Sequence, residues 1–155
     1  VGAGEWARVD STIASLEQGA QESGTNGRMS REVGLPLARA IAAFGRQDYA
    51  ATIELLTPVR PHAHRFGGSH AQRDLLHVTL LEAALRAGRN TLARALAAER
   101  TELKRTSPFN WRVTARALKA QGLDDEARQA IANADMKAAV QRAQHLSPPR
   151  ELAVG

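Results

Sequence analysis

The chain has 155 residues, 43% of them hydrophobic but only 4% aromatic, with a formal charge of +5 and no cysteine. That is about one domain's length, and the missing cysteine excludes disulfides, thiolate metal sites and a cysteine nucleophile. Nothing resembles a signal peptide, and no apolar run reaches the roughly 18–20 residues of a membrane span, so a cytoplasmic protein without a membrane partner is expected.

Alanine and leucine must do the packing, and both are strong helix formers. Strand-like runs of Val, Ile, Thr and Tyr are missing. An all-α fold follows. The basic charge points weakly to nucleic acid. Arginine supplies all but three of the 21 basic residues (the lysines are Lys104, Lys119 and Lys137), and it is spread over every segment. Such an even spread argues against a nucleic-acid partner.

In chain order, Trp6, Val9, Ile13 and Leu16 form one stripe of an amphipathic helix over residues 5–21. No helix precedes it, so it reads as the second half of a hairpin, and the chain as a piece of a longer protein. Gly24, Asn26 and Gly27 break the chain. The next helix is expected to start at Ser30, as N-cap, or at Leu35, and to end at Gly45. Its return helix starts near Asp48, with Ile53, Leu56 and Val59 on the buried side, and is kinked or divided by Pro58 and Pro61. Ser69 with Gln72 reads as a capping box, opening a helix that stops at Gly88. Asn90 is a candidate cap for the following helix. Ser107-Pro108 is an N-cap with proline at the first helical position, leading through Trp111, Ala115 and Leu118 to Gly122. A last helix runs from Asp124 to about His145, and residues 147–155 read as tail.

Gly45, Gly88 and Gly122 each close an apolar run, and each is followed five residues later by alanine: Ala50, Ala93 and Ala127. This describes stacked helical hairpins within one domain over residues 1–146, with repeats at 30–66, 69–105 and 107–145. Gly88 and Gly122 are 34 residues apart, the tetratricopeptide period. With Trp111, Ala115, Leu118, Ala127, Ile131 and Ala134, the third unit closely resembles a tetratricopeptide repeat. The longer stretch 27–111 is similar to the tetratricopeptide-repeat protein 38-like family. It carries Arg28-Met29-Ser30-Arg31-Glu32-Val33-Gly34-Leu35-Pro36, Tyr49-Ala50-Ala51, Pro58-Val59-Arg60, Phe66-Gly67-Gly68-Ser69-His70-Ala71-Gln72-Arg73-Asp74 and Glu82-Ala83-Ala84-Leu85. The resemblance implies an α-superhelical protein, usually longer than this chain, and brings no catalytic residues with it.

In such a stack the first helices line the concave face. Counting back from each glycine places Leu35, Arg39 and Ala43, then Val78, Glu82 and Arg86, then Arg112, Arg116 and Lys119 on it. Arg39, Glu82, Arg86, Arg112, Arg116 and Lys119 are therefore the candidate groove, and its basic end favours an acidic peptide, because arginine forks grip carboxylates bidentately. The bland alternative is a set of solvated charges and surface ion pairs worth little. Leu35, Arg39 and Glu82 depart from the lysine and asparagine pattern with which related repeats clamp chaperone tails, so no such clamp is expected.

A second candidate is the loop around Gly67-Gly68. Arg65, Gly67, Gly68, Ser69, His70 and Arg73 form a glycine-rich approach to a helix N-terminus suited to an anion. His62, His64 and His70 add a weak metal or acid–base alternative. No cofactor or metal is expected, and no catalytic residue is assigned. Three readings result: a non-enzymatic interaction module using the concave groove, an accessory small-ligand or anion-binding domain using the loop, and a structural module that self-associates through its uncapped ends.

Overall fold

The computed structural model describes residues 4–65 and 70–146; the side chains of residues 63–65 and 70–73 fall outside that description. Among the described residues every regular element is a helix: α1 (Trp6–Gly19), α2 (Thr25–Met29), a π turn (Ser30–Gly34), α3 (Leu35–Gly45), α4 (Tyr49–Val59), a 3-10 turn (Arg60–Arg65), α5 (His70–Arg86), α6 (Asn90–Leu103), α7 (Pro108–Lys119) and α8 (Asp124–Leu146). None of them is long and apolar enough to cross a membrane. The chain divides into two compact units, Val1–Arg89 and Asn90–Gly155. The division falls after Arg89, between the two helices that the sequence groups as its second repeat.

In the first unit α1 packs on α3 and the π turn, α3 on α4, and α4 on α5. The expected break at residues 24–27 is shorter than the sequence implies. Helical backbone resumes at Thr25, so Asn26 and Gly27 lie inside a helix, and Ser30 sits in helical backbone with no cap to make. Gly27 is required by close approach: a Cβ there would lie 1.9 Å from the carbonyl oxygen of Glu22. The π turn falls immediately before Pro36, whose ring lacks an amide hydrogen and crowds the preceding turn. Leu35 N donates five residues back to Ser30 O, and this wider turn carries the helix past the proline. Pro58 lies in the last turn of α4, and the chain tightens into the 3-10 turn after Val59, so the two prolines divide the helix as expected. The unit's interior is Val33, Ala40, Ala42, Thr52, Leu56, Val59, Leu76, Leu80, Leu81, Ala83 and Ala84.

The turns that close α3, α5 and α7 share one hydrogen-bond pattern. Asp48 N donates to Ala43 O, Arg89 N to Ala84 O and Leu123 N to Leu118 O, the long bond of a Schellman cap. The residue before each donor is left-handed: Gln47 (φ 63°), Gly88 (φ 66°) and Gly122 (φ 75°). The first of these turns is thus anchored on Gln47, two residues beyond Gly45, and five residues later stands Thr52 rather than Ala50. Thr52 is fully buried, whereas Ala50 is exposed. Gly45 misleads because it ends α3 without taking the left-handed position that makes glycine diagnostic.

A side chain at φ near +60° costs about 1–2 kcal/mol of backbone strain. Nothing lies within 4 Å of a Cβ built at Gly88 or Gly122, so that strain is the whole cost there. Gly122→Ala is expected to destabilise by about 1–2 kcal/mol, and Gln47→Gly to stabilise by about 1 kcal/mol, in urea unfolding.

In the second unit α6 packs on α7 and α7 on α8. Its interior is mostly small: Ala93, Ala97, Ala115, Ala117, Ala127, Ala130 and Ala134, with Leu96 and Val113 as the larger members. Alanines let helix backbones approach closely. Beyond Ala134 no residue of α8 is buried, and Met136, Val140 and Leu146 stand exposed.

Candidate functional site

In the second unit an open cleft lies between the two helices that the Gly122 turn connects. Local rules fix where α7 begins. Ser107 Oγ accepts from Asn110 N at 3.3 Å, and Pro108 occupies the first turn. Buried Asn110 then ties α7 to the end of α6: its Nδ2 donates to Arg100 O at 2.8 Å, and its Oδ1 accepts from Arg100 at 3.3 Å. Trp111 Nε1 donates to Arg105 O at 2.8 Å, and Thr101 and Thr114 share a hydrogen bond of 2.9 Å. Asn90 opens α6, and its Nδ2 donates to Ala120 O at 2.6 Å, satisfying an orphan carbonyl at the end of α7. Removing the Asn110 side chain leaves buried polar groups unpaired, so Asn110→Ala is expected to cost about 1–3 kcal/mol in thermal unfolding.

With that face of α7 committed to α6, another carries Arg112, Arg116 and Lys119. Facing them, α8 starts with Asp124, Asp125 and Glu126, where acids suit the positive helix end. It then buries Ala127, Ala130 and Ala134. Arg112 lies 3.5 Å from Asp135. This antiparallel register sets Ile131 level with Arg116, and Arg128 level with Lys119. The resulting cleft, of about 410 Å³, has Ala115, Ala127 and Ile131 as its apolar floor and Arg116, Lys119, Arg128 and Asp124 at its rim. The volume is that of a small-ligand or peptide-anchor site. Ile131 remains 44% exposed there, so an occupant gains apolar contact as well as charge. Arg128 is oriented by an ion pair with Asp125 one turn earlier.

Arg116 and Lys119 are thus brought together as the sequence suggests, and Arg112 sits beyond them with Asp135. Arg128, Asp124 and Ile131 were missed because only first helices were counted. Their own spacing of four and three residues marks one stripe of α8, and that was the available signal.

The other expected groove residues belong to the first unit and are differently engaged. Arg86 Nε donates to Glu82 at 2.8 Å and its terminal nitrogen to Tyr49 Oη at 3.1 Å. Its guanidinium also lies 5.5 Å from the ring centres of Phe44 and Tyr49, which meet edge to face at 5.4 Å. The bond to Tyr49, then that to Glu82, holds the Arg86 pKa above the ordinary arginine value. This group ties α3 and α4 to α5. Arg39 bonds Glu17 of α1 at 2.7 Å. Counted from Gln47, Arg39 stands at the position of Leu80 and Thr114, and Ile41 at that of Glu82 and Arg116.

In the loop candidate, His62 is exposed on the 3-10 turn. Gly67, Gly68 and Ser69, and the side chains of His64, Arg65, His70 and Arg73, lie outside the described residues. His77, which the sequence did not single out, accepts a hydrogen bond at Nδ1 from Arg60 Nε at 3.3 Å.

No family model matches the chain. No solved structure matches it at significant similarity.

Proposed function

We propose that this protein is a helical-repeat interaction module of the tetratricopeptide type, which holds an acidic peptide segment of a partner protein in the α7–α8 cleft. The observation that carries the reading is the convergence of Arg116, Lys119 and Arg128 over the apolar floor of Ala115, Ala127 and Ile131. With Asp125 paired to Arg128 and Asp124 at the rim, three cations still outnumber two carboxylates, which favours an anionic ligand. The guanidinium forks take carboxylates with two parallel hydrogen bonds. The floor takes a neighbouring aliphatic side chain. Asp124, at the turn end of the cleft, disfavours a carboxylate there and limits the register in which the peptide lies. This is recognition without chemistry: no cofactor is invoked, and the setting is the cytoplasm.

A peptide array tests it. Decamers that combine aspartate or glutamate with leucine or isoleucine are expected to retain the protein, while lysine-substituted and all-serine decamers do not. Equal retention by all three sets would remove the reading.

A further inference from the structure

In the first unit α1 is docked in an unusual way. It is amphipathic, with Trp6, Val9, Ile13 and Leu16 half-buried, yet none of its residues is buried. It packs on α3 and the π turn. Two ion pairs hold it. Asp10 meets Arg46 at 2.8 Å, and Glu17 meets Arg39 at 2.7 Å. Both pairs join residues seven apart, Asp10 and Glu17 of α1 against Arg46, at the C-cap of α3, and Arg39 within it, so α1 runs antiparallel to α3. The Arg46 guanidinium also lies 4.8 Å over the Trp6 ring. All four charged side chains are roughly half exposed, between 46% and 61%, the regime in which an ion pair contributes little and is screened by salt. The firm attachment is at the far end of the helix. Ala20 is buried, and Arg31 donates to the carbonyls of Ala20 and, at 3.2 Å, Glu22. Residues 21–24 beyond it are exposed, and Gly24 is left-handed at φ 95°.

We infer that the Arg39–Arg46 face of α3 is a docking surface for an acidic amphipathic helix of a partner protein, and that α1 is the built-in occupant which such a helix displaces. α1 itself defines the chemistry that fits: an apolar stripe with two carboxylates seven residues apart, running antiparallel to α3. Weak, salt-sensitive attachment along the helix and firm attachment at its exit are what a displaceable strap needs. The surface belongs to the first unit and the α7–α8 cleft to the second.

The test uses the full chain and a fluorescein-labelled peptide of residues 5–20, read by polarisation. The peptide is expected to bind the Asp10→Lys/Glu17→Lys chain, whose own α1 is repelled, at least tenfold more tightly than the wild-type chain. It should not bind the Arg39→Glu/Arg46→Glu chain, whereas a peptide carrying Asp10→Lys and Glu17→Lys should. Equal binding across these combinations, or none to the Asp10→Lys/Glu17→Lys chain while that chain keeps wild-type circular dichroism, overturns the inference. Hydrogen exchange of the wild-type chain serves if the variants fail to fold. Amides of α1 should exchange at least tenfold faster than those of α4, and faster still in 0.5 M salt; matched protection in the two helices overturns the inference equally.

Discussion

Leu81→Ala is expected to lower the unfolding free energy by about 2–5 kcal/mol, the range for a fully buried leucine cut to alanine. Leu81 is 1% exposed and is the largest fully buried side chain described. Counted from the left-handed residue of its turn, it stands where the other two turns have Ala40 and Ala115, both buried. Removing its isobutyl group takes four buried carbons out of the interior of the first unit. Leu103→Ala is the control: at 79% exposure it is expected to change stability by less than about 0.5 kcal/mol. Urea unfolding of both variants measures the difference. Similar small losses in the two would mean that α5 does not pack as described.

The helices were legible because alanine-rich amphipathic stripes, Ser107-Pro108 and Gly122 are signals in which local chemistry and tertiary packing agree. Register in the first hairpin was not. Gly45 looks like a C-terminal glycine, yet the left-handed position falls on Gln47, a residue that gives no such warning. Counting from Gln47 moves Arg39 two positions away from the register of Glu82 and Arg116. Likewise Asn26 and Gly27 look like loop but lie in α2, and Gly27 is the point where the turn after α1 brings the Glu22 carbonyl against the helix. The cleft was half visible. The i, i+4, i+7 stripe of Arg112, Arg116 and Lys119 is readable from spacing alone, whereas its partner stripe on α8 needs the antiparallel register of the hairpin.

Arg116→Glu/Lys119→Glu is expected to weaken acidic-peptide binding by roughly 100-fold. Hydrogen bonds to charged groups contribute about 1.5–3 kcal/mol each, and roughly 3 kcal/mol corresponds to that factor. The fold should survive, because both side chains are exposed at the cleft rim, and surface substitutions of this kind change stability by about 0.5 kcal/mol or less. Wild-type binding should also weaken steadily with added salt, since the rim charges are solvated.

The most direct test is calorimetric titration of the wild-type and double-variant chains with an acidic-aliphatic decamer taken from the array and with its charge-inverted counterpart. The interaction-module account predicts that wild type binds only the acidic decamer, and that Arg116→Glu/Lys119→Glu loses it and gains the basic one. Unchanged affinity of the folded double variant for the acidic decamer would contradict the account.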